Sequence, residues 1–217
     1  MNIRAYFCLL LALPTLAYAD EPPCAPKAML KVVVTLEVPG APAGHFVTVP
    51  KTVYRFTEKY GRVEEARNSK TGLHLLVVVA EPDMWIADIA SGKGKYIKDE
   101  GPTFNFHSVI FGDPDIHSTV INGLEFGCEI EKLSTTGKKT ANIVHESFGM
   151  VDKIEYVDGV ETARMYLRAG SPIRLEVLKE GTLYVAVNYV QYTSGMPFDS
   201  TLFERPNRIE YVGTAQK

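Results

Sequence analysis

Long apolar stretches are scarce in this chain of 217 residues. Beyond residue 19, none reaches the roughly 18 uncharged apolar residues of a membrane-spanning helix, so no transmembrane segment is expected. Basic blocks are also missing, which argues against nucleic acid as a partner. The five histidines, His45, His74, His107, His117 and His145, show neither helical pairing nor a neighbouring Cys-x-x-Cys. No metal site is predicted from them. No serine sits in a G-x-S-x-G elbow, Cys128 has no recognisable nucleophile context, and Gly92-x-Gly94 reads as a turn, not a phosphate loop. The acidic pairs Glu64/Glu65, Asp113/Asp115 and Glu129/Glu131 have the chemistry for acid–base work, but they read as solvated charges and, at Asp115, a helix cap. An enzyme would have to be built on His107 and a nearby carboxylate. With no catalytic or cofactor motif, the chain reads as a non-enzyme without a cofactor.

What is present begins with a charged and apolar leader. Arg4, the apolar run Ala5 to Leu13 and the small-residue pattern Ala17-Tyr18-Ala19 form a secretory signal peptide over residues 1–19. Residues 20–217 then form a single mature domain, exported across the inner membrane and expected in a bacterial periplasm. Without Arg4, the charge is 22 − 26, or −4. Removal of Cys8 with the leader leaves Cys24 and Cys128. In an oxidising compartment these are expected to form a disulfide; a buried thiol at Cys128 with a loose Cys24 tail is the alternative.

The rest reads as strand and turn. Met29 to Val38 is a strand, Pro39 to Gly44 a break, and His45 to Val49 a resumed strand. Thr52 to Tyr60 alternates an aromatic face (Tyr54, Phe56, Tyr60) with a polar one (Arg55, Thr57, Lys59), the period of a half-buried strand. Leu73 to Ala80 and Met84 to Ile89 are apolar on both faces, and Lys95 to Lys98 follows a Gly-rich turn. Two-sided apolar strands need a cover on each face, or a cavity on one. Thr103 to Phe111 is a candidate to drape over a face. A helix is predicted from Asp115 to about Leu133, or two short pieces if Gly123 and Gly127 break it, followed by a polar loop over Ser134 to Thr140. Five strands between Asn142 and Tyr192 are separated by short turns such as Asp158-Gly159, which implies an antiparallel meander. Arg208 to Val212 is a last strand.

Ser171 to Pro206, with Asp199, Leu202-Phe203 and Pro206, resembles the closing segment of the LolA-like superfamily, the periplasmic carriers of lipoproteins and their relatives. MWIADIASGKGKYI from Met84 resembles that family's tryptophan-bearing strand and turn. The resemblance implies a mainly β (α+β) fold: a strongly curved antiparallel sheet, or incomplete barrel, with one or two helices over its concave side. It also implies a cavity for acyl chains. The carriers usually open with an amphipathic helix, whereas Ala28 to Val38 here reads as strand. No role is carried over to Arg55.

The expected function is a non-catalytic carrier holding a lipid, acyl chain or other hydrophobic ligand. The alternative is an envelope scaffold that binds a protein partner. Tyr54, Phe56, Trp85, Phe104, Phe106, Phe126 and Tyr189 are the candidate ligand-binding residues, since large rings give apolar contact area.

Overall fold

Side chains of a strand point alternately to opposite faces, so the pairing register sorts the whole sheet into two surfaces. The computed structural model describes residues 24–42, 45–98 and 118–214. The expected signal peptide, Thr103 to Phe111 and the predicted helix start at Asp115 lie outside the described residues.

Among the described residues, twelve strands form one sheet. The first six are β1 (Met29–Glu37), β2 (Lys51–Phe56), β3 (Tyr60–Glu65), β4 (Leu75–Ala80), β5 (Asp83–Asp88) and β6 (Lys93–Lys98). After the helix α1 (Glu129–Thr136) come β7 (Lys138–His145), β8 (Gly149–Asp158), β9 (Glu161–Arg168), β10 (Ser171–Lys179), β11 (Thr182–Met196) and β12 (Glu210–Thr214). The spatial order is β12-β6-β5-β4-β3-β2-β1-β11-β10-β9-β8-β7. The sheet is curved and open, a mainly β half-barrel with one helix. Short turns make consecutive strands antiparallel, as the spacing predicts. Among the described residues, only β12 pairs in parallel, with β6. It can do so because residues 197–209 first carry the chain across the sheet to its far end.

One cross-strand row runs Val32, Val53, Val63, Val77, Ile86. This inner face is covered by Val120, Ile121, Leu124, Phe126 and Leu133, from the 3-10 turn Thr119–Ile121, the loop after it and α1. The opposite row runs Lys31, Tyr54, Arg62, Val78, Trp85, Tyr96. On that outer face, Leu202 and Phe203 from the 3-10 turn Ser200–Phe203 pack over Leu76, Val78, Tyr60 and Trp85. β4 is therefore buried on both sides from Leu76 to Val79, each side chain contributing about 1.5–3 kcal/mol. Its two-sided apolar run is met here by protein on both faces.

Three expectations need correction. His45 to Val49 is not a strand: Phe46–Thr48 is a 3-10 turn, with the Thr48 amide and hydroxyl donating to the His45 carbonyl at 3.0 and 2.9 Å. Thr52 to Tyr60 is two strands, because Thr57 turns the chain at φ 52° and Tyr60 opens β3 opposite Phe56. Of the two readings of the stretch to Leu133, the described residues take the second, two short pieces. Gly123 and Gly127 lie at φ 67° and 94°, left-handed geometry that no helix interior keeps. The second piece runs to Thr136 and β7 starts at Lys138, so Ser134 to Thr140 is not a loop.

Cys24 and Cys128 are bonded, their Cα atoms 5.9 Å apart and 104 positions apart in sequence. The bond ties the start of the described chain to the residue before α1. Closing so long a loop is worth about 4 kcal/mol in the chain-entropy model. Replacing both cysteines by serine is expected to lower the unfolding free energy in a urea titration by about that amount. Equal midpoints with and without the bond would show that it constrains nothing.

Candidate functional site

Period-two alternation in β2 is real, and the face carrying Arg55 is the one that turns inward. Lys51, Val53 and Arg55 are buried, while Tyr54 and Phe56 on the other side are half-buried. The polar face points inward because the cover brings acids to meet it. Arg55 is 1 % exposed, and its Nη1 lies 2.6 Å from Oε2 of Glu125, which is 0 % exposed. Burial depresses the Arg55 pKa, and the nearby Glu125 and Glu129 carboxylates pull it back up. The guanidinium stays a cation, so its partner must be an acid.

Glu129 opens α1 and is also fully enclosed. One carboxyl oxygen accepts from the Gly127 amide, the other from the Tyr189 hydroxyl at 3.2 Å. Burial pushes its pKa up to about 7, against the opposing pull of those hydrogen bonds. Burial and then Glu129 raise the Tyr189 hydroxyl well above its ordinary range, and Tyr192 is raised by the same causes. Phe126 meets Tyr189 edge to face at 6.1 Å. A second inner pair, Lys51 with Glu65 at 3.0 Å, is almost as deeply buried.

Glu129 and Glu65 thus overturn the expectation of solvated charges. Arg55, Glu125, Glu129 and Tyr189 are enclosed between sheet and cover, and their contacts join the two. Among the described residues, no His, Cys, Asp and Glu group has the arrangement of a metal site.

Farther along, Glu161 anchors the start of the cover. Its carboxylate accepts from Ser118 Oγ and the Thr119 amide, both at 2.7 Å, and lies 3.2 Å from Lys179 Nζ. Burial alone would raise its pKa, but these bonds outweigh it and bring it down to about 2.

The aromatic candidates divide between the faces. Phe126 and Tyr189 share the inner face; Tyr54, Phe56 and Trp85 lie on the outer one. There Phe198 packs on Phe56 and Tyr60 at 4.7 and 5.0 Å, and Trp85 stacks with Tyr96 at 6.0 Å. Phe104, Phe106 and His107 lie outside the described residues. The five aromatics within them do not line one common surface. Sequence reading missed Glu125 as a partner of Arg55. The available signal was two acids four apart, Glu125 and Glu129, inside the apolar stretch Val120 to Leu133.

Fold and site together define a class: an open, curved β-sheet protein with a cover seated on a buried ionic seam. No family model matches the chain, and no curated protein matches it in sequence. Some solved structures align with it. An uncharacterized conserved protein from Thermus thermophilus does so with a TM-score of 0.47 at 12 % identity, over 86 % of this chain and 90 % of that one. MucB aligns with a TM-score of 0.42 at 11 % identity, over 86 % of this chain and 60 % of MucB. A chain of the Pseudomonas aeruginosa MucA/MucB complex gives 0.43 at 12 % identity, over 87 % of this chain and 59 % of that one. These likenesses assign the chain to no family. Among the described residues, no helix is long and apolar enough to cross a membrane.

Arg55→Met leaves Glu125 buried without its cation and is expected to cost about 3–5 kcal/mol in urea unfolding. The double variant Arg55→Met/Glu125→Leu should recover most of that loss. Equal losses in both variants would mean that the pair does not couple cover to sheet. For Glu161, a folded-state pKa below its ordinary 4.5 means stability that is complete above about pH 4.5 and lost on acidification toward about 2. Glu161→Gln should therefore flatten the fall in urea midpoint between pH 5 and pH 3; an unchanged fall would place the acid sensitivity elsewhere.

Proposed function

We propose that the chain is a non-catalytic binding protein of the cell envelope, a periplasmic LolA-like module whose cover, residues 118–136, shields a site for a lipid or acyl chain on the inner face. The signal-peptide pattern of residues 1–19 supports the location. The observation that carries the reading is the Arg55–Glu125 pair at 2.6 Å, enclosed between sheet and cover. Hydrocarbon would seal this boundary at least as firmly, since a buried ion pair often contributes no more than apolar packing of the same volume. A polar seam differs in what opening it costs. Separated charges regain water, whereas separated apolar surfaces do not. An ionic seam amid apolar contacts suits a cover that lifts from an apolar face and returns to it. Opening would expose Val32, Val53 and Val63 to a guest.

A second reading has its own observation. Val144 and Met150, cross-strand neighbours where the sheet ends at β7, are 83 % and 66 % exposed. Exposed apolar side chains beside an open strand edge suit a protein partner.

Native mass spectrometry of the protein purified without detergent should show a bound acyl lipid. Incubation with a fluorescent fatty acid should give saturable binding that dodecanoate displaces. If the protein carries no lipid and takes up no probe, ligand carriage is wrong and the partner-binding reading stands in its place.

A further inference from the structure

We propose that the seam is worked by a proton: with Glu129 neutral the cover stays seated, and with Glu129 ionised the cover loosens. The inference rests on reading residues 118–136 as a movable cover.

Among the described residues, the groups that interact with Glu129 come from β2, β11 and the loop before α1, while β8, which α1 also contacts, places buried Ile154 beside the helix end at Gly137. β2 presents Arg55, and the preceding loop presents Glu125 and the Gly127 amide. β11 presents the Tyr189 hydroxyl at 3.2 Å, with Tyr192 nearby. On α1 itself, Glu131 and Lys132 are exposed to solvent. One guanidinium therefore faces two carboxyl groups, and Glu125 lies against it at 2.6 Å. The other inner cation, Lys51, is 3.0 Å from Glu65. A neutral Glu129 leaves the Arg55–Glu125 pair balanced. An ionised one adds a second negative charge to a dry boundary, with two uncharged donors, the Gly127 amide and the Tyr189 hydroxyl, to receive it. Its remedy is water, and water is reached by lifting the first turn of α1. Burial holds this carboxyl near neutrality in its titration, so both forms are populated at ordinary pH. The Cys24–Cys128 bond sits one residue away and keeps the start of α1 tethered, which makes the loosening local.

The sign follows from proton binding. The seated state holds the proton more tightly than a state with Glu129 in water, so raising the pH favours opening. A guest is then retained on the acid side of neutrality and released on the alkaline side.

Hydrogen exchange of the ligand-free full chain between pH 5.5 and 8.5, corrected for intrinsic rates, tests this. Protection of α1 should fall by up to about tenfold per pH unit between the ordinary carboxyl value of 4.5 and the seated-state midpoint at about 7, then level off, and at pH 8 it should lie below that of β10. Glu129→Gln should abolish the slope. Tyr189→Phe removes a donor to the carboxylate and should move the midpoint to higher pH; it serves also if Glu129→Gln does not fold. Flat wild-type protection, the same profile in both variants, or α1 and β10 exchanging together at every pH would each overturn the proposal. Lipid uptake at one fixed pH is a separate readout, so failure of ligand carriage is distinguishable from failure of the proton device.

Discussion

An arginine cannot shed its charge when it is enclosed, and that constraint organises the middle of this molecule. Arg55 sits at 1 % exposure on the inner side of β2, so an acid has to be delivered to it from elsewhere in the chain. Glu125 arrives from 70 positions away, in the loop that leads into α1. Leu124 and Phe126, its immediate neighbours, are buried with it and belong to the same core as Val32 and Val53. A slip of one residue in that loop would put apolar side chains against the guanidinium and a carboxylate into hydrocarbon. Charge pairing thus specifies where the cover sits, while hydrocarbon burial supplies most of the energy that keeps it there.

The sheet itself handles its two surfaces differently along its length. Toward β4 both faces are apolar and both are covered, by the 118–136 segment inside and by Leu202 and Phe203 outside. Toward β8 the outer face turns polar. Arg164 binds Glu155 at 2.7 Å, and Arg174 bridges Glu176 and Glu37 at 2.7 and 2.9 Å. Arg164–Glu155 joins the neighbouring strands β9 and β8, Arg174–Glu176 lies within β10, and Arg174–Glu37 reaches past β11 to β1; these part-exposed pairs contribute specificity of register more than stability. The apolar half needed a strap and the polar half did not, which accounts for the path of residues 197–209 from β11 to β12.

Covalent and ionic restraints converge on one short stretch. Within five residues, Glu125 meets Arg55, Cys128 joins Cys24, and Glu129 meets Tyr189. Local conformational preference alone would leave this stretch free, since α1 has only eight residues and isolated helices of that length are marginal in water. Its position depends on tertiary contacts, and two of those contacts change with proton or redox conditions. The part of the molecule most dependent on long-range contacts is therefore also the part most responsive to its surroundings.

Much of the fold could be read from residues alone. Asp158-Gly159 and its counterparts mark the hairpins of β8 to β11, valine-rich runs mark β1 and β4, and Cys24 and Cys128 are the candidate partners if residues 1–19 are the expected leader. These features are local, or depend on composition, so the chain determines them without help. The direction of the Arg55 face was not legible. Alternation with period two says that a strand has two faces, but which one is covered depends on segments far along the chain. The same limit applies to Tyr54, Phe56 and Trp85 against Phe126 and Tyr189: their residue types promised apolar contact, and only the strand register assigned them to opposite sides. Glu125 and Glu129, four apart in an apolar stretch, carry a local hint of burial, but their meeting with Arg55 and Tyr189 is a property of the assembled sheet and cover together.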